Sequence, residues 1–340
     1  MTREQPRHFV KLVIQIPCFN EEESLPGTVA DLPASIEGID AIEVQVVDDG
    51  SSDATAEVAR RLGARVVSLG QHRGLASAFR AGLETALRAG ADIIVNTDAD
   101  NQYVGDDIRK LVAPILAGGA DVVVGDRQVF TIRDFSLVKK VLQKVGSAVV
   151  GLLSGVRIPD ATSGFRAYNR HAAMRTLVFS GYTYTLETLI QAGRRGMRIV
   201  SVPIRTNPSV RPSRLVSSIP SYVCRSIGTL VRIFVLYRPL SFFLTLAFPF
   251  LALGFALVAR FLYYYVTTVG QTGHIQSLVL AAISVLLGTG LGLLGLLGDI
   301  SATNRVLTEE VLLHLTRLSL GTADGGGSPT TPSVPPASHG

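Results

Sequence analysis

The 340-residue chain has 32 lysines and arginines against 27 acidic residues, a net charge of +5, and 47% of its residues are hydrophobic. Such an apolar, weakly charged chain is not disordered, and it is long enough for one or two folded units with a full core. Its two cysteines exclude a disulfide framework and are typical of a reducing compartment. The basic pI near 9.4 is compatible with binding to a polyanion, so the position of the positive charge matters.

The positive charge is concentrated in one stretch of the chain. Between Thr188 and Gly298 there is no Asp or Glu, and the same stretch contains ten arginines. The rest of the chain holds 22 basic and 27 acidic residues, a net charge of −5. Because the arginines adjoin the most apolar part of the sequence, we expect contact with anionic lipid and no nucleic-acid partner.

Residues 10–214 are predicted to form one α/β domain after a short polar tail, residues 1–9. Apolar strand-like runs alternate with helical segments, which is typical of a mainly parallel, Rossmann-like sheet covered by helices on both faces. In such a sheet, binding residues collect at the carboxyl ends of the strands. The predicted strands are Leu12–Ile16, Val44–Val47, Arg65–Ser68, Ile93–Asn96, Val122–Val124 and Ile199–Val202, and the predicted helices are Glu22–Leu32, Asp53–Leu62, Leu75–Arg88 and Asp106–Ala117.

Polar residues follow the first two predicted strands. The first strand leads into Pro17-Cys18-Phe19-Asn20-Glu21, and the second into Asp48-Asp49-Gly50-Ser51-Ser52-Asp53. The adjacent carboxylates of Asp48 and Asp49 offer hydrogen-bond acceptors to a nucleobase edge or to ribose hydroxyls. Plainer interpretations stay open, in which Asn20 caps the helix after it and Asp53 caps the next one, and for Asp53 we prefer the capping role.

The fourth predicted strand ends in the run Asp98-Ala99-Asp100-Asn101-Gln102. Its two carboxylates and its terminal amide provide the hard oxygen ligands that Mg²⁺ and Mn²⁺ prefer, and such ions keep positions for phosphate oxygens. Asp98, Asp100 and Gln102 therefore form a candidate divalent-metal site for a nucleotide diphosphate. One acidic turn alone is weak evidence, but polar residues at three strand ends argue against a simple binding module.

Residues 215–238 form a predicted amphipathic juxtamembrane helix region that precedes the most apolar part of the chain. Arg225, Arg232 and Arg238 are widely spaced within this otherwise apolar segment. The segment can lie in a membrane interface with its arginines toward the headgroups. A helix packed on the α/β domain is the other interpretation, and the two are compatible.

Two uncharged runs follow, and they predict transmembrane helices over residues 239–266 and 275–298. The first begins with 21 uncharged residues and the second has 24. At the helical rise, 21 residues span about 31 Å, which is enough for a bilayer core. Two buried core helices are the alternative, but apolar residues on every side make it the poorer one. Gly288 and Gly292 fit close packing of transmembrane helices, within the chain or between copies of it, or glycines that face lipid.

The positive-inside rule orients these helices. The basic residues lie mainly before the first span, so we expect the large N-terminal part in the cytoplasm and the loop between the spans outside. We expect no signal peptide at the polar start of the chain, a cytoplasmic helix over residues 299–320, and a disordered Gly-, Ser-, Thr- and Pro-rich tail over residues 321–340. The prediction is a multi-pass integral protein of the cell membrane.

The motifs resemble those of a known enzyme family. In chain order they are IPCFNEEES, VVDDGSSDAT, RGLASAFRAGLETA, NTDADNQY, GDR and DATSGFRAYNR. They are similar to those of the family 2 inverting glycosyltransferases of GT-A fold. The branch they resemble most is the dolichyl- or polyprenyl-phosphate mannose synthase-like one that carries two C-terminal transmembrane helices. The resemblance covers about residues 10–215.

The resemblance implies a reaction, a cofactor and partners. It implies transfer of a sugar, with inversion, from a GDP- or UDP-sugar to a polyprenyl phosphate (dolichyl or undecaprenyl phosphate) at the cytoplasmic face of the membrane. It also implies Mg²⁺ or Mn²⁺ as cofactor. A family 2 transferase acting on another saccharide or lipid is the alternative. A membrane scaffold that binds a nucleotide sugar without turnover is a rival from another class, against which the intact Asp98, Asp100 and Gln102 argue.

The resemblance also assigns roles to individual residues. The positions that match donor binding are Pro17, Phe19, Asn20, Glu21, Asp48, Asp49 and Asp98. The positions that match the metal site are Asp98, Asp100 and Gln102. The positions that match contacts to the acceptor phosphate are Arg127, Lys140, Ser163, Ser213 and Arg214. We expect a direct catalytic contribution from Asp100, Arg127 and Asp160.

The sequence departs from the family pattern at two places. Arg211-Pro212-Ser213-Arg214 stands where many relatives carry a Gly-Glu-Ser-Lys acceptor loop, so the usual glutamate is absent and an arginine replaces the lysine. Phe19 stands where a tyrosine is common.

Overall fold

The structure is a computed structural model that describes residues 9–128, 137–178, 184–208, 219–267 and 275–324. The strands are β1 Lys11–Cys18, β2 Ala41–Asp48, β3 Arg65–Ser68, β4 Ile93–Asn96, β5 Val122–Asp126, β6 Arg166–Asn169 and β7 Ile199–Pro203. They form one sheet of order β3-β2-β1-β4-β6-β5-β7, in which each pair of neighbours is parallel except the two that include β6. The predicted mainly parallel α/β fold is confirmed.

β6 is the strand that the sequence pattern did not predict. Its four residues include a buried arginine, so they show no apolar run. It lies antiparallel between β4 and β5, with Arg166 opposite Asn96 on one side and Val124 on the other. Because β6 runs against its neighbours, its first residues meet their carboxyl ends. The segment before β6 therefore reaches the edge of the sheet at which binding residues are expected.

Helices cover both faces of the sheet. Phe79 and Leu189 belong to the larger core cluster on one face, and Ile108 and Leu111 to the cluster on the other. Successive residues of β1 face opposite clusters, which explains its almost continuous apolar sequence. The helices are α1 Leu25–Ala30, α2 Thr55–Arg61, α3 Leu75–Arg88, α4 Ile108–Leu116, α5 Leu137–Ser154, α6 Arg170–Arg175, α7 Tyr184–Arg194, α8 Ile219–Tyr237, α9 Pro239–Thr267 and α10 Ile275–Asp324.

α9 and α10 form an antiparallel pair. A Cβ atom at Gly288 would lie 2.6 Å from Cγ of Leu251, so this glycine allows the two helices to approach closely. Gly292 has open space around it instead. Both helices are long and apolar enough to cross a membrane, and only 11% of the most apolar window of α9 and 22% of that of α10 is buried. That exposure does not fit the alternative of two buried core helices.

α10 continues without a break from Ile275 to Asp324. The cytoplasmic helix predicted for residues 299–320 is therefore a direct extension of the second apolar helix. No proline or glycine interrupts that stretch, so nothing in it ends the helix. The helix includes the first four residues of the predicted tail, and residues 325–340 lie outside the described part. The division of the chain into domains at the expected bounds stays a prediction.

The extension of α10 rests on the α/β domain and on α8. Arg195 Nη2 donates to Glu309 Oε2 at 2.8 Å, and the guanidinium of Arg305 lies 4.4 Å from the centre of the Tyr237 ring. On α8, Ile233 and Tyr237 belong to the core of the domain, whereas Arg232 is exposed, as is Arg238 directly after the helix. The carboxyl-terminal half of α8 thus packs on the domain and keeps Arg232 in solvent, which agrees with both interpretations of this helix.

Candidate active site

The sheet brings the predicted donor residues together. Cys18 at the end of β1 pairs with Asp48 at the end of β2, and Asp48 pairs with Ser68 at the end of β3. β4 ends beside β1, with Asn96 opposite Gln15. The polar turns that follow these parallel strands therefore line one edge of the sheet, as expected for this topology.

Asn20 joins the first two polar turns. Its side-chain Oδ1 accepts a hydrogen bond from the backbone N–H of Ser52 at 2.8 Å, and its backbone N–H donates to Ser51 Oγ at 3.0 Å. Its φ of +54° is unusual for a residue other than glycine. α1 begins later, at Leu25, so Asn20 is no helix cap. In the second turn, Asp53 Oδ1 accepts from the backbone amide of Thr55 at 3.0 Å, but the N-cap of α2 is Ala54 and makes no side-chain cap bond, so Asp53 lies one residue before the capping position preferred for it.

Asp49 organises a third loop that comes from further along the chain. Its carboxylate accepts the amides of Arg73 and Gly74, each at 2.8 Å, and one oxygen lies 2.9 Å from Nδ1 of His72. Asp48 accepts the Ser51 amide at 3.0 Å. Both carboxylates are buried, so their first role is structural: they fix the loops that form the walls of the site. The His72 ring is 4.0 Å from the ring of Phe19, which forms an aromatic pair at the exposed rim.

Asp98 and Asp100 lie in the turn after β4, residues 98–102, which we call the acidic turn. They form the acidic centre of this edge of the sheet. Loss of hydrating water and the charge of Asp100 raise the pKa of Asp98 to about 6, although the positive charge of Arg127 opposes the shift. The backbone N–H of Gln102 donates to Asp100 Oδ1 at 3.0 Å, and Asn101 between these two residues has a φ of +53°. Among the described residues there is no group of three or more His, Cys, Asp or Glu side chains placed for a metal ion.

This donor set fits one class of ion. Mg²⁺ and Mn²⁺ are commonly held by one or two carboxylates, with substrate phosphates and water completing the coordination shell. The electrostatic cost of ionising Asp98 beside Asp100 is the cost that a bound divalent cation would remove. Asp98 and Asp100, with the amide oxygen of Gln102, are therefore suited to a cation shared with a diphosphate.

Gly164 lies directly behind the acidic centre. A Cβ atom at this position would lie 3.0 Å from Oδ1 and 3.1 Å from Oδ2 of Asp98. Asn96 Nδ2 donates to the Gly164 carbonyl at 2.8 Å, which ties this turn to the end of β4. Ser163, beside it, is fully buried, and its Oγ accepts the Phe165 amide at 3.3 Å. The turn before β6 thus forms part of the wall behind Asp98.

Arg127 is held in a buried ion pair. Its Nε donates to Asp160 Oδ2 at 2.7 Å and its Nη2 to Asp160 Oδ1 at 2.9 Å, and Thr162 Oγ1 accepts a third bond at 2.9 Å. Burial by itself would raise the pKa of Asp160, but the bonds from Arg127 outweigh it and lower that pKa. Asp160 is therefore ionised, and its two oxygens orient the guanidinium of Arg127.

Arg166 is the largest fully buried side chain of the described residues. It donates to the carbonyls of Ser163, Ala161 and Thr185 at 2.7–2.8 Å and to Thr188 Oγ1 at 2.9 Å. These bonds tie the turn that carries Asp160 to the start of α7. The sequence motif contained Arg166 but did not indicate this role, because its partners are backbone carbonyls.

The Arg166→Met variant should lose this turn and unfold more easily. Each buried carbonyl left without a donor costs about 1–3 kcal/mol, so we expect a total of about 4 kcal/mol and a fall in Tm of about 10 °C. Thermal unfolding of the purified protein in detergent measures the change. Arg198→Met is the matched control, because this arginine forms an exposed ion pair with Asp121. Equal Tm shifts in the two variants would contradict the role of Arg166.

A second connection missed by the sequence pattern links residues 205–207 to the acidic turn. Arg205 Nη2 donates to Asp107 Oδ1 at 2.7 Å. The amide of Asn207 donates to the Gln102 carbonyl at 2.8 Å, and its Nδ2 donates to the Asn101 carbonyl at 3.0 Å. The sequence signal was weak, since polar residues after a strand are common. Ser213 and Arg214 lie beyond this point, outside the described residues, and so does the side chain of Lys140 on α5.

Most of the predicted site residues that the structure describes lie at one edge of the sheet. Seven of them line the same edge of the sheet through the contacts above, namely Asn20, Asp48, Asp49, Asp98, Asp100, Arg127 and Asp160. Pro17 is a buried residue of β1, Phe19 is at the rim, and the Glu21 amide donates to Thr55 Oγ1 at 2.9 Å. Their roles in binding and catalysis stay predictions.

Comparisons with known proteins match this architecture. Residues 13–177 match the profile of Glycosyl transferase family 2. A polyprenol monophosphomannose synthase of Mycolicibacterium smegmatis is 31% identical over 206 residues, which cover 57% of this chain and 76% of that protein. The undecaprenyl-phosphate mannosyltransferase of Micrococcus luteus is 31% identical over 206 residues, which cover 57% and 83%.

Solved structures show the same fold. The glucosyl-3-phosphoglycerate synthase of Mycobacterium tuberculosis aligns with a TM-score of 0.50 and 24% identity, over 65% of this chain and 80% of that one. The mannosyl-3-phosphoglycerate synthase of Rubrobacter xylanophilus aligns with a TM-score of 0.51 and 20% identity, over 66% and 74%. At these identities the likeness concerns the fold alone. With the sequence matches above and the carboxylates at the strand ends, it shows that the chain belongs to glycosyl transferase family 2.

Proposed function

We propose that this chain transfers a sugar, with inversion at the anomeric carbon, from a GDP- or UDP-sugar to a polyprenyl phosphate at the cytoplasmic face of a membrane. One observation carries the proposal. Asp98 and Asp100, suited to a divalent cation, lie within electrostatic reach of the oriented Arg127, in a chain that also has two helices of membrane-spanning length. The names of the relatives from Mycolicibacterium smegmatis and Micrococcus luteus support a polyprenyl phosphate as the acceptor.

The first two turns suit the nucleoside part of the donor. Asp49 is occupied by the amides of the loop after β3, so its role is to shape the wall. Among the described residues, the second oxygen of Asp48 accepts one long bond, 3.4 Å, from Ser68 Oγ, so it can also accept from a ribose hydroxyl or a base N–H. The exposed ring of Phe19 offers a stacking surface to the base.

The acidic turn suits the diphosphate. Asp98, Asp100 and Gln102 would hold Mg²⁺ or Mn²⁺, and the ion would supply the positive charge that stabilises the departing diphosphate. Asn101 has an unusual positive φ, and two hydrogen bonds from Asn207, to the carbonyls of Asn101 and Gln102, keep the turn in this conformation. The turn is thus preorganised for its ligand, so that little reorganisation accompanies the reaction.

The acceptor needs orientation more than activation. A phosphate monoester is largely a dianion at neutral pH, because its second pKa is about 6, so its oxygen is already a nucleophile. That oxygen attacks C1 of the sugar from the side opposite the diphosphate, the bond from C1 to the diphosphate oxygen breaks, and the configuration inverts. Among the described residues, Asp160 occupies the Nε and Nη2 side of Arg127, which leaves Nη1 to bind the acceptor phosphate. Lys140, Ser213 and Arg214 are the further acceptor contacts that we propose, whereas the fully buried Ser163 would act by shaping the turn before β6.

The helices after the domain are suited to anchor it in a membrane, with this site close to the membrane surface. Exposed Tyr263, Tyr264 and Tyr265 near the end of α9 are typical of a membrane interface. Arg232 and Arg238 precede α9 at its other end, where anionic headgroups of the cytoplasmic leaflet would attract them by about 1 kcal/mol each. This orientation keeps the domain on the cytoplasmic side.

A screen of donors and acceptors tests the proposal. Purified protein is incubated with Mg²⁺ or Mn²⁺, each labelled UDP- or GDP-sugar, and undecaprenyl or dolichyl phosphate, and lipid-linked sugar is extracted. We expect one donor class to give a product that mild acid cleaves, as it does a glycosyl phosphate. The matched control acceptor is the corresponding polyprenol, which lacks the phosphate and should receive no sugar. Transfer to polyprenol, or to a saccharide in preference to the prenyl phosphate, would contradict the proposed acceptor.

A further inference from the structure

The part of α10 beyond Gly298 has two different faces. One face rests on the α/β domain through Arg305, Glu309 and Leu313, of which Glu309 and Leu313 are buried. The other face carries large apolar side chains in solvent, with Leu307 exposed by 61%, Val311 by 60% and Leu318 by 67%. Apolar side chains exposed in a row mark a surface that another molecule covers.

These side chains follow a heptad pattern. Seven exposed positions succeed one another at alternating intervals of three and four residues, and we name them the α10 seam. They are Leu297, Ile300, Asn304, Leu307, Val311, His314 and Leu318. At 3.6 residues per turn, this spacing keeps all of them on one stripe, about half a turn around the helix from Glu309. The seam therefore faces away from the α/β domain.

Lipid cannot cover most of this seam. α10 has an uncharged run of 24 residues, Ile275–Gly298, before Asp299, which is enough for a bilayer core. The helix continues unbroken from there, so the residues from Ile300 to Leu318 extend by about 28 Å beyond that run. They stand outside the hydrocarbon layer beside the α/β domain, where an apolar stripe meets water unless a protein surface covers it.

We propose that the α10 seam pairs with the seam of a second copy of this chain, as a parallel two-stranded coiled coil. The inference rests on the proposed membrane anchor. Two copies in one membrane share the same orientation, so their extensions run parallel. Leu307 occupies a d position and Val311 an a position, the combination that favours two strands. Asn304 occupies an a position, where a single asparagine pairs with its partner copy and selects the dimer and its register.

The same stripe continues into the apolar part of α10. Leu286, Gly290 and Leu293 precede Leu297 at the same alternating spacing, and all are exposed or open. Gly290 has no atom within 4 Å of the Cβ position, so a second helix can approach it closely. The pairing surface is thus continuous from the membrane into the cytoplasmic extension. Gly288, in contrast, already packs against Leu251 of α9 within the same chain.

Cysteine cross-linking in membranes tests the pairing with little disturbance of the fold. Leu307→Cys and Ile300→Cys place thiols at d positions, where a parallel coil brings each close to its own counterpart. With copper phenanthroline as oxidant, each variant should give mainly covalent dimer on a non-reducing gel. Val306→Cys is the matched control, because Val306 is exposed but outside the seam, and it should match the unmodified chain. Equal dimer at positions 306 and 307, or none at 300 and 307, overturns the proposal and indicates another partner.

A charge placed in the seam gives an independent measurement. In nanodiscs, Leu307→Glu should reduce the protein mass from dimer to monomer by light scattering, whereas Val306→Glu should leave it a dimer. A dimer in both variants contradicts the coil. Transferase activity on the same samples tests the proposed function separately, since neither residue belongs to the site. If the unmodified chain is a dimer that transfers no sugar, the proposed function is contradicted and the coiled coil is supported. If it is an active monomer, the coiled coil is contradicted and the proposed function is supported.

Discussion

Replacing Asp100 with asparagine should lower sugar transfer by about 10³-fold, because the divalent ion that we propose for this site would contribute several kcal/mol to the stability of the leaving diphosphate. The substitution keeps the shape of the side chain and the bond from the Gln102 amide while removing the charge. EDTA should reproduce the loss in the unmodified protein, and an excess of Mn²⁺ should reverse the effect of EDTA but not that of the variant.

Binding of Mn²⁺ measures directly whether the variant has lost its metal ion. The electron paramagnetic resonance signal of free Mn²⁺ falls as the ion binds, and nucleoside diphosphate should strengthen that binding in the unmodified protein only. Asp106→Asn is the matched control, because this carboxylate lies six residues further on, is 58% exposed and pairs with Arg109. Normal turnover of Asp100→Asn, or turnover that resists EDTA, would remove Asp100 from the metal site.

The Arg127→Ala variant should lose about 10²-fold in kcat/KM for the prenyl phosphate, since a charge-assisted bond to an anion is worth about 2–3 kcal/mol. Affinity for the nucleoside diphosphate should fall much less, because Arg127 affects the donor side through its charge on Asp98 and not through a direct contact with the nucleotide. Steady-state kinetics with varied acceptor, together with calorimetry of nucleotide binding, measure the two effects. Unchanged acceptor kinetics would contradict the acceptor role of Arg127.

Asp160 provides the control for this interpretation. If Asp160 acts only by orienting Arg127, the double variant Arg127→Ala/Asp160→Ala should be no less active than Arg127→Ala alone. The double variant also removes the uncompensated buried carboxylate that the single variant leaves behind. A further large loss of activity in the double variant would instead assign Asp160 a direct contact with the sugar.

The elements of the sheet were predictable because their signals are local. β3, β4 and α3 have the predicted bounds, since each is a compact apolar or amphipathic run ended by glycine or polar residues. α1 is shorter than predicted, Leu25–Ala30 rather than residues 22–32, because Asn20 and Glu22 bond to the turn after β2 instead of entering the helix. Nothing near these residues in the sequence indicates those bonds.

The acidic turn after β4 was predictable for the same reason, because Asp98, Asp100 and Gln102 lie within five residues of one another. Connections between distant segments were not. Asn207 reaches the acidic turn from 106 residues away, and Arg195 reaches Glu309 from 114 residues away. Such contacts depend on how helices and strands are arranged in space, to which no short motif corresponds.

The sequence by itself determined the fold class, the family, the acidic strand ends and the apolar C-terminal helices, since each depends on periodicity, composition or a short motif. Only the tertiary structure decided the partners of those residues. It assigned Asp49 to a loop 24 residues away and Asp160 to an arginine 33 residues before it. It also showed which stripe of α10 the α/β domain leaves uncovered. A buried carboxylate must find its donors wherever the packed chain brings them, and that depends on the whole fold.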